Sequence, residues 1–279
     1  MKGLRKGALL ALPLALIAVA VVLPMFAALL ASLTVGQGLG LTHYLNFLQR
    51  PQYAVALANT AWLAVAATSL SLLLVLPACI HIGRRGRLAV NLFTGLLVVC
   101  LAISGLMRTL AWQIILSRQG PLNTLLLWAG WIDQPLDLLY SRGAVIVGMA
   151  HVMLPLAAAV LLNSMRHIDH SLIFAARTLG ASRWRSLRDL WWPQMRRPLC
   201  HAFLLVFAMN TGFFLLPALL GGPGDTVLGK VMLGDIAFDF DNGPNMAATS
   251  GMFMTLMVLA MSGICLLAGG TSFTRGRRQ

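Results

Sequence analysis

One stretch of the chain could hold a nucleotide. Gly224-Asp225-Thr226-Val227-Leu228-Gly229-Lys230-Val231 nearly spells a phosphate-binding loop. That loop needs a hydroxyl after its lysine to hold Mg²⁺, and Val231 stands there instead. It also follows an apolar run rather than a strand, so this stretch is not expected to bind ATP. His151 sits alone in an apolar run. A membrane histidine can relay protons, but one without a ligand set reads first as a polar packing group. His167 and His170 flank Asp169 in a basic loop and read as surface residues. Cys79, Cys100, Cys200 and Cys265 lie in or beside apolar runs, at no metal-like spacing, and read as small buried groups. No Ser/His/Asp or Cys/His constellation and no paired catalytic carboxylates stand out. The chain is therefore expected to be no enzyme and to need no cofactor or metal.

Two sets of polar residues could act on a passing solute. Asn59, Thr60, Asn210 and Thr211 are uncharged polar groups inside apolar runs. They could hydrogen-bond between helices or line a pore. Asp225, Asp235, Asp239 and Asp241 cluster before the last run, with Asp133 and Asp137 before the fourth. Such a field would draw a cationic substrate or a docking protein with a basic rim; ordinary solvated loops would look the same.

The elements that must position these groups are membrane helices. Of 279 residues, 58% are hydrophobic and 10% charged, against about 25% charged in a soluble domain. Six runs lack Asp, Glu, Lys and Arg: Ala8–Leu33, Ala54–Ile82, Leu88–Met107, Gly143–Leu162, Leu199–Leu220 and Met246–Gly269. Each is long enough to cross a hydrocarbon core of roughly 30 Å. Lipid offers backbone amides no partner, so the runs are predicted to be helices. The strict alternation of a β-barrel is absent. The first run follows Lys2, Arg5 and Lys6, but it is longer than a signal sequence and no clear cleavage site follows, so a retained first helix is expected.

The net charge of +13 could suggest nucleic acid. Its distribution gives another reading. With the N-terminus inside, sixteen of the 21 Lys and Arg residues fall on one side, and of the aspartates only Asp169 and Asp189 join them. The positive-inside rule makes that side cytoplasmic and places both termini there. The basic excess is a topology signal, and nucleic acid is not an expected partner.

The most informative loop is cytoplasmic, residues 163–198. Asp169 or Ser171 can cap a first short helix, with Leu172, Ala175, Ala176 and Leu179 on one face. Gly180 ends it, as a left-handed cap prefers. Ser182 can cap a second helix whose Leu187, Leu190 and Trp191 form an apolar face, and Pro193 is predicted to stop it. Such a pair could rest on lipid headgroups or dock a cytoplasmic partner.

Phe174-Ala175-Ala176-Arg177-Thr178-Leu179-Gly180-Ala181-Ser182 resembles the E-A-A-x-x-x-G loop of ABC importer permeases, with Phe174 in place of the family's glutamate. Met107-Arg108-Thr109-Leu110-Ala111-Trp112, followed by Arg118-Gln119-Gly120-Pro121-Leu122-Asn123, resembles the segment after helix 3 in the spermidine/putrescine branch. Pro217-Ala218-Leu219-Leu220-Gly221-Gly222-Pro223 resembles that branch's end of helix 5. The likeness runs from about Asn59 to about residue 268.

This resemblance implies an all-α integral membrane fold of six transmembrane helices with the type I ABC importer permease (MetI-like) core. Residues 1–53 would form the N-terminal stub, first helix and periplasmic loop, 54–270 the permease domain, and 271–279 a basic cytoplasmic tail. The implied partners are a cytoplasmic ATPase dimer docking on Phe174–Ser182, a second permease of different sequence, a periplasmic solute-binding protein and the lipid bilayer. The implied place is the bacterial inner membrane, and the implied cargo a polyamine, with ferric iron, thiamine, opines and phosphonates as sister substrates. Asn59, Asn210, Asp225, Asp235 and Asp239 are the candidates for the substrate path or for docking the binding protein. A secondary transporter is the rival, but the runs offer no carboxylate for ion coupling. A membrane scaffold is a second rival.

Overall fold

In the computed structural model the described residues are 2–36, 38–83, 85–165 and 170–269. The side chains of residues 2–15, His170, Ile173 and Phe174 lie outside that description. The described chain is mostly helical and divides into two compact units.

The first unit comprises Met1–Leu57 and Leu228–Leu256. Helix α1 (Lys2–Leu33) leads into a small hairpin, β1 (Thr34–Val35) and β2 (Gly38–Leu39), paired antiparallel with Thr34 opposite Leu39. Then come α2 (Thr42–Gln49), the start of α3 (Pro51–Gly83), α12 (Leu228–Phe238) and the first part of α13 (Gly243–Gly269). Phe47, Tyr53, Ala56, Leu228 and Met246 form its core, and the Phe47 ring stacks on Phe253 with centroids 4.0 Å apart. Leu16, Ile17 and Val22 on α1 are exposed, as a helix facing lipid requires.

The second unit comprises Ala58–Val227 and Met257–Gln279. It holds the rest of α3, then α4 (Arg87–Ala102), α5 (Gly105–Leu116), α6 (Pro121–Trp128), α7 (Arg142–Met165), α8 (His170–Thr178) and α9 (Arg183–Ser186). A π-helical turn (Leu187–Trp191), α10 (Trp192–Thr211) and α11 (Leu215–Leu220) follow, and the end of α13 completes it. Helix α7 is its centre: 61% of its most apolar window is buried, against 6% for those of α1 and α13. Leu63, Met149, Leu161, Val206 and Leu216 pack in this core. Side-chain hydrogen bonds cross between helices: Ser71 Oγ donates to Ala150 O at 3.1 Å, and Asn210 Nδ2 to Thr68 Oγ1 at 3.0 Å.

A helix occupies each of the six predicted runs, but two runs are broken. Helices α1, α3, α7 and α13 are each long and apolar enough to cross a membrane, and a fifth span results if α4 and the segment after it count together. That pair bends by 85° at Ile103-Ser104, ahead of the Ser104-Gly105 pair, a pairing that favours sharp kinks. The run Leu199–Leu220 begins earlier, at Trp192, and breaks between Thr211 and Leu215. Pro217 explains this break, since it can neither donate to the Phe213 carbonyl nor pack against it in a continuous helix. Six spans are compatible with this arrangement, with α10 carrying Arg196 and Arg197 near its start.

Candidate functional site

The segment 170–191 is built by local rules. Helix α8 ends in a complete glycine cap: Ala181 N–H donates to Ala176 O at 3.0 Å and Gly180 N–H to Arg177 O at 3.1 Å. These two bonds satisfy carbonyls that the helix end would orphan, and they need a left-handed residue between them. Gly180 has φ +89°, and nothing lies within 4 Å of where its Cβ would stand. Ser182 then caps the next helix, its Oγ accepting from Arg185 N–H at 3.2 Å. Asp169, the other predicted cap, lies outside the described residues, as do Arg166 and His167.

Pro193 does not stop that helix. The chain passes through the π-helical turn, in which Trp192 N–H donates to Leu187 O, and continues as α10. Proline is tolerated because it falls in the first turn of the new α-helical stretch, where its missing N–H leaves no bond unmade. Helix α9, the π-turn and α10 are therefore one continuous path from the glycine turn into the membrane helix.

Ala175 is exposed and Ala176 half-buried; Leu172 and Leu179 are 52% and 88% exposed. Trp184, which no spacing rule singles out, is 72% exposed. These side chains form exposed apolar surface among the exposed Arg177, Arg183 and Arg185. Trp191, by contrast, packs against the core of the second unit.

Two of the recognised motifs turn out to be clamps. Arg108 Nη1 donates to Val152 O at 2.9 Å, which ties α5 to α7, and Trp112 meets His151 edge-on with centroids 5.5 Å apart. Thr109 is fully buried, its hydroxyl donating to Gly105 O. Asn123, also fully buried, donates to Ser117 O and Leu136 O and accepts from Leu136 N–H. The third motif leads into residues 221–226, which are latched from three sides. Asp225 Oδ1 accepts from Arg142 Nε at 2.7 Å, and its Oδ2 accepts from Gly222 N–H at 3.1 Å. Asn59 Nδ2 donates to Gly224 O at 2.8 Å and Thr226 O at 3.0 Å. A Cβ on Gly222 would stand 2.7 Å from Tyr140 O, so only glycine fits there.

The structure thus brings Asn59, on α3, to the loop that carries Asp225 and leaves the others apart. Asn210 is buried against Thr68, with its Oδ1 unpartnered among the described residues. Asp235 belongs to the first unit, on α12. Tyr53 OH donates to its Oδ1 at 3.0 Å, while its buried Oδ2 has no partner among the described residues. Asp239 caps the following turn through Asn242 N–H.

Burial raises the Asp235 carboxyl above its ordinary value of 3.8; the Asp239 charge adds to the rise, while the Tyr53 bond and Arg50 oppose it. A raised folded value means the folded chain holds the proton more tightly, so stability falls as pH rises above the ordinary value. Asp235→Asn keeps an acceptor for Tyr53 and removes the titration. The variant is expected to gain melting temperature over the wild type as pH rises from about 4 to about 7. A gap that stays constant with pH would show that Asp235 is not titrating there.

Four long apolar helices and a bent fifth pair among the described residues define an integral membrane protein. Residues 75–273 match the family of binding-protein-dependent transport system inner membrane components, and the chain belongs to it. It is therefore a transport component rather than an enzyme, and its place is the inner membrane. The chain is 30% identical over 213 residues to the spermidine/putrescine transport system permease protein PotB of Escherichia coli, across 75% of this chain and 77% of that one. It is 26% identical over 207 residues to the thiamine transport system permease protein ThiP of Escherichia coli, across 70% of this chain and 36% of that one. In fold it resembles a crystal structure of a bacterial ABC transporter involved in the import of the acidic polysaccharide alginate. The TM-score is 0.70 at 18% identity, with 95% of this chain and 96% of that one covered.

Proposed function

We propose that this chain is one permease subunit of an ATP-driven polyamine importer, with spermidine or putrescine as cargo. Similarity to a spermidine/putrescine permease along three quarters of the chain carries that choice of substrate. The aspartates of the loops opposite the Arg-rich side that are not tied up as Asp225 and Asp235 are, Asp133, Asp239 and Asp241, favour a cationic solute. A periplasmic binding protein delivers the solute, a second permease of different sequence completes the path, and an ATPase dimer docks on Phe174–Ser182. The positive-inside rule places that segment and both termini in the cytoplasm. Nucleotide-driven closure of the ATPases moves the segment, and α9, the π-turn and α10 carry the motion into the membrane as a rigid-body switch between two states.

The cognate binding protein, identified by its capture on the purified transporter, provides the test. Spermidine or putrescine is expected to raise its melting temperature, and to be taken up by proteoliposomes holding the whole complex only when ATP is present. Stabilisation by thiamine or by an anionic ligand would keep the importer and replace its cargo. Uptake without an ATPase would remove the importer reading itself.

A further inference from the structure

The second unit holds a cleft of about 670 Å³ where α7 ends and α10 begins. Asn163 and Ser164 line it from α7, and Gln194, Arg196, Arg197 and His201 from α10. None of the described residues lining it carries a carboxylate. Arg196 and Arg197 are both exposed. Arg197 Nε donates to Gly269 O at 3.4 Å, so one side of the cleft is also tied to the end of α13.

We propose that this cleft binds the phosphate of an anionic phospholipid in the cytoplasmic leaflet. The depth is right for a headgroup: the apolar run of α7 ends at Leu162 and that of α10 begins at Leu199, so the cleft lies where both helices leave the hydrocarbon. Trp192, exposed beside it, is of the type that settles at the membrane–water boundary. The donors suit a phosphodiester. The Arg196 guanidinium can offer paired N–H groups to phosphate oxygens, Arg197, held at Nε by Gly269 O, adds its positive charge, and the Asn163 amide and Ser164 hydroxyl add neutral donors. Basic pockets between membrane helices at this level are suited to anionic headgroups. A lipid is favoured over free phosphate because the leaflet presents its headgroups at this depth, already concentrated. The cleft sits at both roots of segment 170–191, so a bound headgroup would hold together the two helix ends through which that segment moves the membrane helices.

The choice of leaflet rests on the orientation proposed above; the binding measurement does not. The whole transporter complex is placed in nanodiscs of equal phosphatidylglycerol and phosphatidylcholine, released, and its retained lipids are counted by native mass spectrometry. Wild type is expected to retain phosphatidylglycerol. The double substitution Arg196→Gln and Arg197→Gln should cut retention about 25-fold, a factor of about five for each surface guanidinium. Arg196→Lys with Arg197→Lys should keep most of it. If the double glutamine variant fails to assemble, Arg196→Gln alone should still show the fivefold loss. Equal retention by wild type and the glutamine variants would overturn the proposal. Displacement of the lipid by millimolar inorganic phosphate would overturn the lipid source and assign the cleft to a soluble phosphate.

Discussion

Gly180→Arg is expected to insert into the membrane as wild type does and to abolish ATP-driven uptake. Gly180 holds φ +89° between the two hydrogen bonds that close α8. A residue with a Cβ in that region costs about 1–2 kcal/mol, or a factor of roughly 5–30 in the population of the intact turn. The space around the missing Cβ is open, so clash is not the cause. Arginine adds a long charged chain beside Leu179, on the exposed strip proposed to meet the ATPase. Strain and size can be separated with two further substitutions. Gly180→Asn, which visits the left-handed region readily, should transport near the wild-type rate. Gly180→Ala should lose several-fold through strain alone. Uptake measured in whole cells, with membrane-inserted protein quantified alongside, reads all three. Wild-type uptake by the arginine variant would exclude this turn from coupling.

That turn was legible in the sequence because it is local. A glycine four residues past the alanine pair, followed by a capping serine, specifies its own hydrogen bonds within a few residues. The long apolar runs were legible for the same reason, since lipid leaves each of them one backbone solution. Where the reading failed, the deciding partner lay outside the window. Pro193 reads as a stop, and only the π-turn upstream shows how the helix passes through it. The breaks at Ile103-Ser104 and after Thr211 carry local signs, the Ser104-Gly105 pair and Pro217, but each falls in a run without charges whose length alone suits an unbroken span. Pro217 opens the Pro217–Pro223 motif, whose family likeness masks its role as a helix breaker. The sequence leaves Asn59 between interhelical bonding and pore lining, and Asp225 between a charged field and an ordinary loop, because the carbonyls and the arginine that engage them lie far along the chain.

Asp225→Ala is expected to lower the melting temperature of the complex. Asp225 is almost fully enclosed and accepts from both Arg142 and the Gly222 amide. Hydrogen bonds to a buried charge are each worth about 1.5–3 kcal/mol. Arg142 is mostly exposed, so its share is discounted for solvent, and a total of about 2–3 kcal/mol remains. Asn59→Ala removes two neutral bonds to the same loop and should cost about 1–2 kcal/mol. The two sites grip one segment, so once one grip is lost the other holds a loop that has already loosened. The double variant should therefore fall short of the sum by about 1 kcal/mol. Asp225→Asn, which keeps one acceptor, should lie between wild type and Asp225→Ala. Melting curves of the four variants decide between a latch and a contact with the cargo. A cargo ligand would lose uptake at unchanged stability, and its effect would add independently to that of Asn59→Ala. A latch loses stability first, and its coupling to Asn59 persists when no substrate is present.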